Sequence, residues 1–145
     1  MTSIPRLVTS FGACALVIAF ALPVLAQEQL SSPDDVKTGL RILNQVVGHT
    51  GRLIASKNYD TVPREHHEIV EGAQILRDAL AKEPETFRTK VDGMLDKVVA
   101  SSSALAEPSK MRDDAKLAAA HTVLADAVHD VLDLFPAQLQ PTPRN

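Results

Sequence analysis

Between residues 33 and 135, inward-type side chains recur at spacings of four and three, the period of an amphipathic helix packed against others. Four segments carry this rhythm. The first opens at Ser32-Pro33-Asp34-Asp35, where Ser32 can cap, Pro33 suits the first turn and the two acids complement the positive helix end. Its stripe is Val36, Leu40, Leu43, Val47, Thr50 and Ile54, flanked by Ile42, Val46, His49 and Leu53. The second starts near Thr61 and carries Val62, His66, Ile69, Ala73, Leu76 and Leu80. The third, from Glu83-Pro84-Glu85, carries Phe87, Val91, Met94, Val98, Ser101 and Leu105 and stops by Pro108. The fourth, from about Ser109, carries Leu117, His121, Leu124, Val128, Val131 and Phe135. Alternating runs with β-branched enrichment are absent, so no strand is predicted. Short connections favour antiparallel neighbours, and the prediction is an all-α, up-down-up-down four-helix bundle over residues 27–135. Residues 136–145, with further prolines, read as a flexible tail.

Aligning the stripes in that order stacks six layers. Val36, Leu80, Phe87 and Phe135 form the bottom one, and Ile54, Val62, Leu105 and Leu117 the top. The polar interruptions all fall in the fifth layer: Thr50, His66, Ser101 and His121, with His49 and Ser102 at its flank. An unpaired buried polar group costs on the order of 1–3 kcal/mol. Such a layer therefore needs a metal ion, a cofactor, water or an internal hydrogen-bond network to satisfy it. Three imidazoles from His49, His66 and His121 suit Zn, Cu or Ni with an open position, and Thr50 and Ser101 could line a bound group. Gly48 and Gly51 bracket His49 and cost about 1 kcal/mol each inside a helix, which close approach of a backbone or bulky ligand would explain. The competing reading is a purely structural polar layer that sets helix register.

The amino terminus changes where this bundle is expected to work. A single charge, Arg6, precedes the apolar run Phe11 to Leu22, then Pro23 and Val24-Leu25-Ala26, so residues 1–26 read as a secretory signal peptide. The run is short for a membrane span, which needs about 20 residues. Its removal from the 145 residues leaves 119 and takes with it the only cysteine, Cys14. Disulfides, thiolate metal sites and thioether haem attachment then drop out. The expected location is the periplasm or outside the cell. Hydrophobic residues are 45% and aromatic residues 3% with no tryptophan, and the net charge is −3, which argue for a globular chain and against nucleic-acid binding.

The scaffold resembles the periplasmic four-helix bundles of the b-type and c′-type cytochromes. Where the c′ members carry CxxCH, this chain has Ala127-Val128-His129-Asp130. That resemblance implies a non-covalent haem held by His121 with His66. A second resemblance, to hemerythrin-like bundles, rests on His67-Glu-Ile-Val-Glu71 and His121-Thr-Val-Leu-Ala-Asp126, with His49 as the first-helix histidine. It implies His67, Glu71 and Asp126 as further ligands, although the third-helix HxxxH of that family has no counterpart here. The sequence thus predicts an exported bundle that binds a metal ion or haem through its histidines, or a structural or protein-interaction bundle without a cofactor. No catalytic triad, phosphate loop or paired-carboxylate motif points to an enzyme.

Overall fold

The structure, a computed structural model, describes residues 30–142; the predicted signal peptide lies outside them. Among the described residues every regular element is helical: α1 (Pro33–Ala55), a 3-10 turn (Val62–Arg64), α2 (Glu65–Ala79), α3 (Glu85–Ser103), the short α4 (Ala106–Met111) and α5 (Asp114–Leu132). The long helices form a ring of neighbours, with α1 and α3 each packing against both α2 and α5. None of the described helices is long and apolar enough to cross a membrane.

Local chemistry sets the boundaries. Pro33 occupies the first turn of α1 with Asp34 and Asp35, and Arg52 lies in its last turn. Beyond Ala55 the chain turns at Lys57, which takes φ 58°, while Asn58 N–H donates to the Leu53 carbonyl (2.9 Å) and Lys57 N–H to that of Ile54 (3.0 Å). This paired closure normally employs glycine. The same device separates α4 from α5 where one helix from about Ser109 is expected, and α4 itself reaches back to Ala106, across the expected stop at Pro108. Arg112 takes φ 52° and Asp113 N–H donates to the Pro108 carbonyl (3.0 Å), so α4 ends there. Asp113 then caps α5 by accepting from Lys116 N–H (3.0 Å), and that bond, with the Lys116 ammonium, holds its carboxyl below the usual range.

The core lies where the stripes converge, with Leu40, Leu43, Ile69, Leu76, Leu95 and Leu124 fully buried. Phe87 and Phe135 meet edge to face at 6.0 Å, as the layer alignment expects. Two stripes drift from their predicted track. On α1, Val46 and Leu53 are buried while Val47 and Ile54 are half-buried; on α3, Leu95 and Ser102 are buried while Met94 and Ser101 are half-buried. The shift is one residue earlier on α1 and one residue later on α3, while Leu43, Thr50, Val98 and Leu105 stay on the expected track. After Phe135 the chain stays on the bundle: Leu139 is buried, and the Gln140 side-chain amide donates to the carbonyls of Leu132 (3.0 Å) and Phe135 (2.8 Å).

The α1–α2 contact is the most intimate. A Cβ at Gly39 would lie 2.6 Å from Leu76 Cγ and 3.1 Å from the Gly72 carbonyl oxygen, and one at Gly72 would lie 2.9 Å from Ile42 Cγ2. The two glycines let the backbones close to where neither helix tolerates a side chain. Between α2 and α3, Arg77 bridges Asp92 (3.4 Å) and Asp96 (2.7 Å) on the surface.

Candidate functional site

The three histidines of the polar layer are each engaged by a different helix. His49, on the outer half of α1, places Nδ1 2.9 Å from a carboxylate oxygen of Glu65 at the start of α2. The imidazole is 47% exposed and the Glu65 side chain only 6%, so His49 is the group that shields a buried carboxylate. His66, next along α2, places Nδ1 2.7 Å from Ser102 Oγ on α3. The Ser102 hydroxyl already donates to the Val99 carbonyl (2.8 Å), so the proton in the first bond comes from the His66 ring. His121 on α5 donates Nε2–H to the Val47 carbonyl of α1 (3.0 Å). The imidazoles therefore tie α1 to α2, α2 to α3 and α5 to α1.

The bracketing glycines have separate explanations. A Cβ at Gly51 would stand 3.1 Å from His121 Cε1, so this glycine admits the ring against α1. Gly48 faces outward, and a Cβ there would meet only Arg52 Nη1, at 3.7 Å.

The remaining sequence candidates are scattered. Ser101 is half-buried, and its neighbour Ser102 is the one that meets His66. His67, Glu71 and Asp126 are all exposed. Thr50 is fully buried, and its hydroxyl has no partner among the described residues. Among those residues, no three His, Cys, Asp or Glu side chains are grouped so that they could hold a metal ion. The orphaned Thr50 hydroxyl yields a direct expectation. Thr50→Val removes a desolvated polar group at nearly constant volume and is expected to raise stability by about 1 kcal/mol in urea unfolding. A loss of stability would mean that the hydroxyl is in fact satisfied.

Sequence reasoning missed Glu65. The signal was present: Glu65, Ile69, Gly72, Leu76 and Ala79 repeat the four-three spacing and are all buried. Taking Gly72 as an inward residue brings Glu65 onto the buried face. It also missed the cluster at the α1 end of the first loop. There Tyr59, 8% exposed, donates its hydroxyl to Asp114, which also pairs with Lys57 (3.4 Å). The Arg112 guanidinium carbon lies 6.0 Å from the centre of the Tyr59 ring.

The bond to Asp114, aided by burial, holds the Tyr59 phenol above its ordinary value; the same bond, with Lys57, holds the Asp114 carboxyl below its own. The signs set a window. The raised phenol contributes stability that is complete below pH 10.0 and lost as pH climbs through its folded value. The depressed carboxyl contributes stability present above pH 3.8 and lost as pH falls through its folded value. The gap in urea midpoint between the protein and Tyr59→Phe is thus expected to be level between these limits and to narrow outside them. A gap that keeps widening at either extreme would contradict the pairing.

One large cleft opens on the outer side of α1, about 800 Å³ in volume, lined by Arg41, Gln45, Gly48, His49 and Arg52, with Glu68 of α2 and Pro141 and Thr142 of the final segment at its edges. No known protein family, curated protein or solved structure matches this chain.

Proposed function

We propose that the chain is an exported, up-down-up-down four-helix bundle that acts by binding another molecule on its outer surface, and that its histidines are internal ties between helices. The one-to-one engagement of each imidazole by its own protein partner carries this reading. Histidines satisfied from within set the relative heights of helices and need no cofactor to be stable. The up-down order is supported by two contacts at opposite ends of one pair: Gly39, early in α1, against Leu76, late in α2, and His49, late in α1, against Glu65, early in α2. Export, to the periplasm or beyond, rests on the pattern of residues 1–26. Binding is favoured over catalysis because the partners of the histidines are a carboxylate, a hydroxyl and a carbonyl on three separate interfaces, and the hydroxyl, Ser102, is buried and donates to the Val99 carbonyl rather than to His66.

One observation favours a second reading, in which the histidines hold a metal ion or haem. Each ring donates from one nitrogen to a protein acceptor, which leaves the other nitrogen as the lone-pair donor, the orientation that metal-ligating imidazoles adopt. Elemental analysis of protein exported and purified without chelator, together with haem titration, separates the two. The structural reading expects substoichiometric metal and no Soret shift. Stoichiometric metal, or a Soret band lost in both His66→Leu and His121→Leu, would establish the second.

A further inference from the structure

We propose that the cleft on α1 is a binding site for a small organic phosphate, clamped through its phosphoryl group by Arg41 and Arg52. The two arginines are eleven residues apart on one helix, close to three full turns, and so share a face with Gly48 between them. Their side chains lean toward each other. Arg41 Nη1 reaches the Gln45 side-chain oxygen at 3.5 Å, and Arg52 Nη1 lies 3.7 Å from where a Cβ of Gly48 would stand. The two arginine backbones stand about 16.5 Å apart along the axis, and the two side chains cover part of that distance from opposite ends. Neither guanidinium has a carboxylate within ion-pair distance among the described residues.

Two guanidiniums approaching on one exposed face repel each other weakly in water, and an anion held between them turns that repulsion into attraction. This occurs on a chain of net charge −3, which rules out a general excess of base. Paired guanidinium forks match the oxygens of a phosphoryl dianion better than one carboxylate, which a single fork already satisfies. Ile42 and Val46 offer an apolar wall for an organic body, and a volume of about 800 Å³ suits a small molecule. Glu68 is the one acid of the lining, and it favours a compact charged head near the arginines over an extended polyanion.

This assignment deepens the surface-binding reading and rests on it, but it fails separately. Absence of phosphate binding would leave the histidine ties intact, and metal held by His66 and His121 would leave the arginine pair in place.

The test is a titration of the purified, exported protein at low ionic strength with phenyl phosphate and inorganic phosphate, followed through the backbone amide signals of Gln45 and Gly48. Both probes are expected to bind at one site, phenyl phosphate the more tightly, and succinate to bind more weakly than either. Arg41→Gln and Arg52→Gln should each weaken binding by about tenfold to a hundredfold. Lys90→Gln, on exposed α3, should leave it unchanged. Gly48→Asp places a carboxylate between the guanidiniums without removing either, in open space, and should abolish binding. Unmoved amide signals at millimolar phosphate, binding indifferent to Arg41→Gln and Arg52→Gln, or equal affinity for succinate would each overturn the proposal.

Discussion

Gly39→Leu is expected to destabilise the folded protein by about 3 kcal/mol, the upper part of the range for overpacking a tight contact. Replacing a mid-helix glycine on an open surface would gain up to about 1 kcal/mol from helix propensity. At Gly39 that gain is outweighed. The first carbon alone would stand 2.6 Å from Leu76 Cγ, a branch point packed in the core, and 3.1 Å from a backbone oxygen that cannot rotate away. Relief requires α1 and α2 to separate, which loosens Ile42, Leu43 and Leu76 together. Gly48→Ala is the matched control: it has the same propensity gain and nothing nearer than Arg52 Nη1 at 3.7 Å, so it should be stabilising. Urea unfolding followed by circular dichroism reads both. Equal shifts in the same direction would show that α1 and α2 are not in such close contact.

The second large effect is asymmetric within one ion pair. His49→Ala strips a 6%-exposed carboxylate of the only side chain it bonds to among the described residues. Breaking a fully buried pair costs about 3–5 kcal/mol. Here the histidine is 47% exposed, so water partly replaces it, and about 2 kcal/mol is expected. Glu65→Leu should cost much less, because it frees an imidazole that already faces water and fills the site with an apolar side chain of similar size. His49→Ala combined with Glu65→Leu should recover most of the first loss, and the coupling energy of that cycle measures the pair. Similar costs for the two single substitutions would contradict the burial asymmetry.

Helix content was legible in the sequence because Leu, Ile and Val at four-three spacing leave little choice of period, and prolines at 33, 63, 84 and 136 punctuate it. The splitting of the last helix was not. Arg112 takes a left-handed conformation that its residue type gives no reason to expect. The end of α1 at Lys57 is the same case. The Gly39–Gly72 contact was invisible because a glycine carries no hydrophobicity, so a pattern built on apolar side chains passes over it.

The polar layer was half legible. The stripes located Thr50, His66 and His121 as interruptions of an apolar face, and two of these make inter-helix bonds. The sequence could not reveal that each ring is answered separately. A backbone carbonyl, the partner of His121, leaves no mark on a residue pattern, and Ser101 and Ser102 are one helical step apart, within the error of any assumed register. The cleft was not legible because no pattern sets Arg41 and Arg52 apart along α1, and its edges come from Glu68, Pro141 and Thr142, distant in sequence.

Bonding of the histidines within the bundle is what makes a cofactor unnecessary there. Nitrogen-15 spectra of the imidazole rings at neutral pH, recorded before and after addition of one equivalent of Zn(II), test this most directly. The predicted result is His66 protonated on Nδ1 and His121 on Nε2, with neither set of signals moved by the metal. Opposite tautomers, or joint movement of the His49, His66 and His121 signals at stoichiometric zinc, would contradict it.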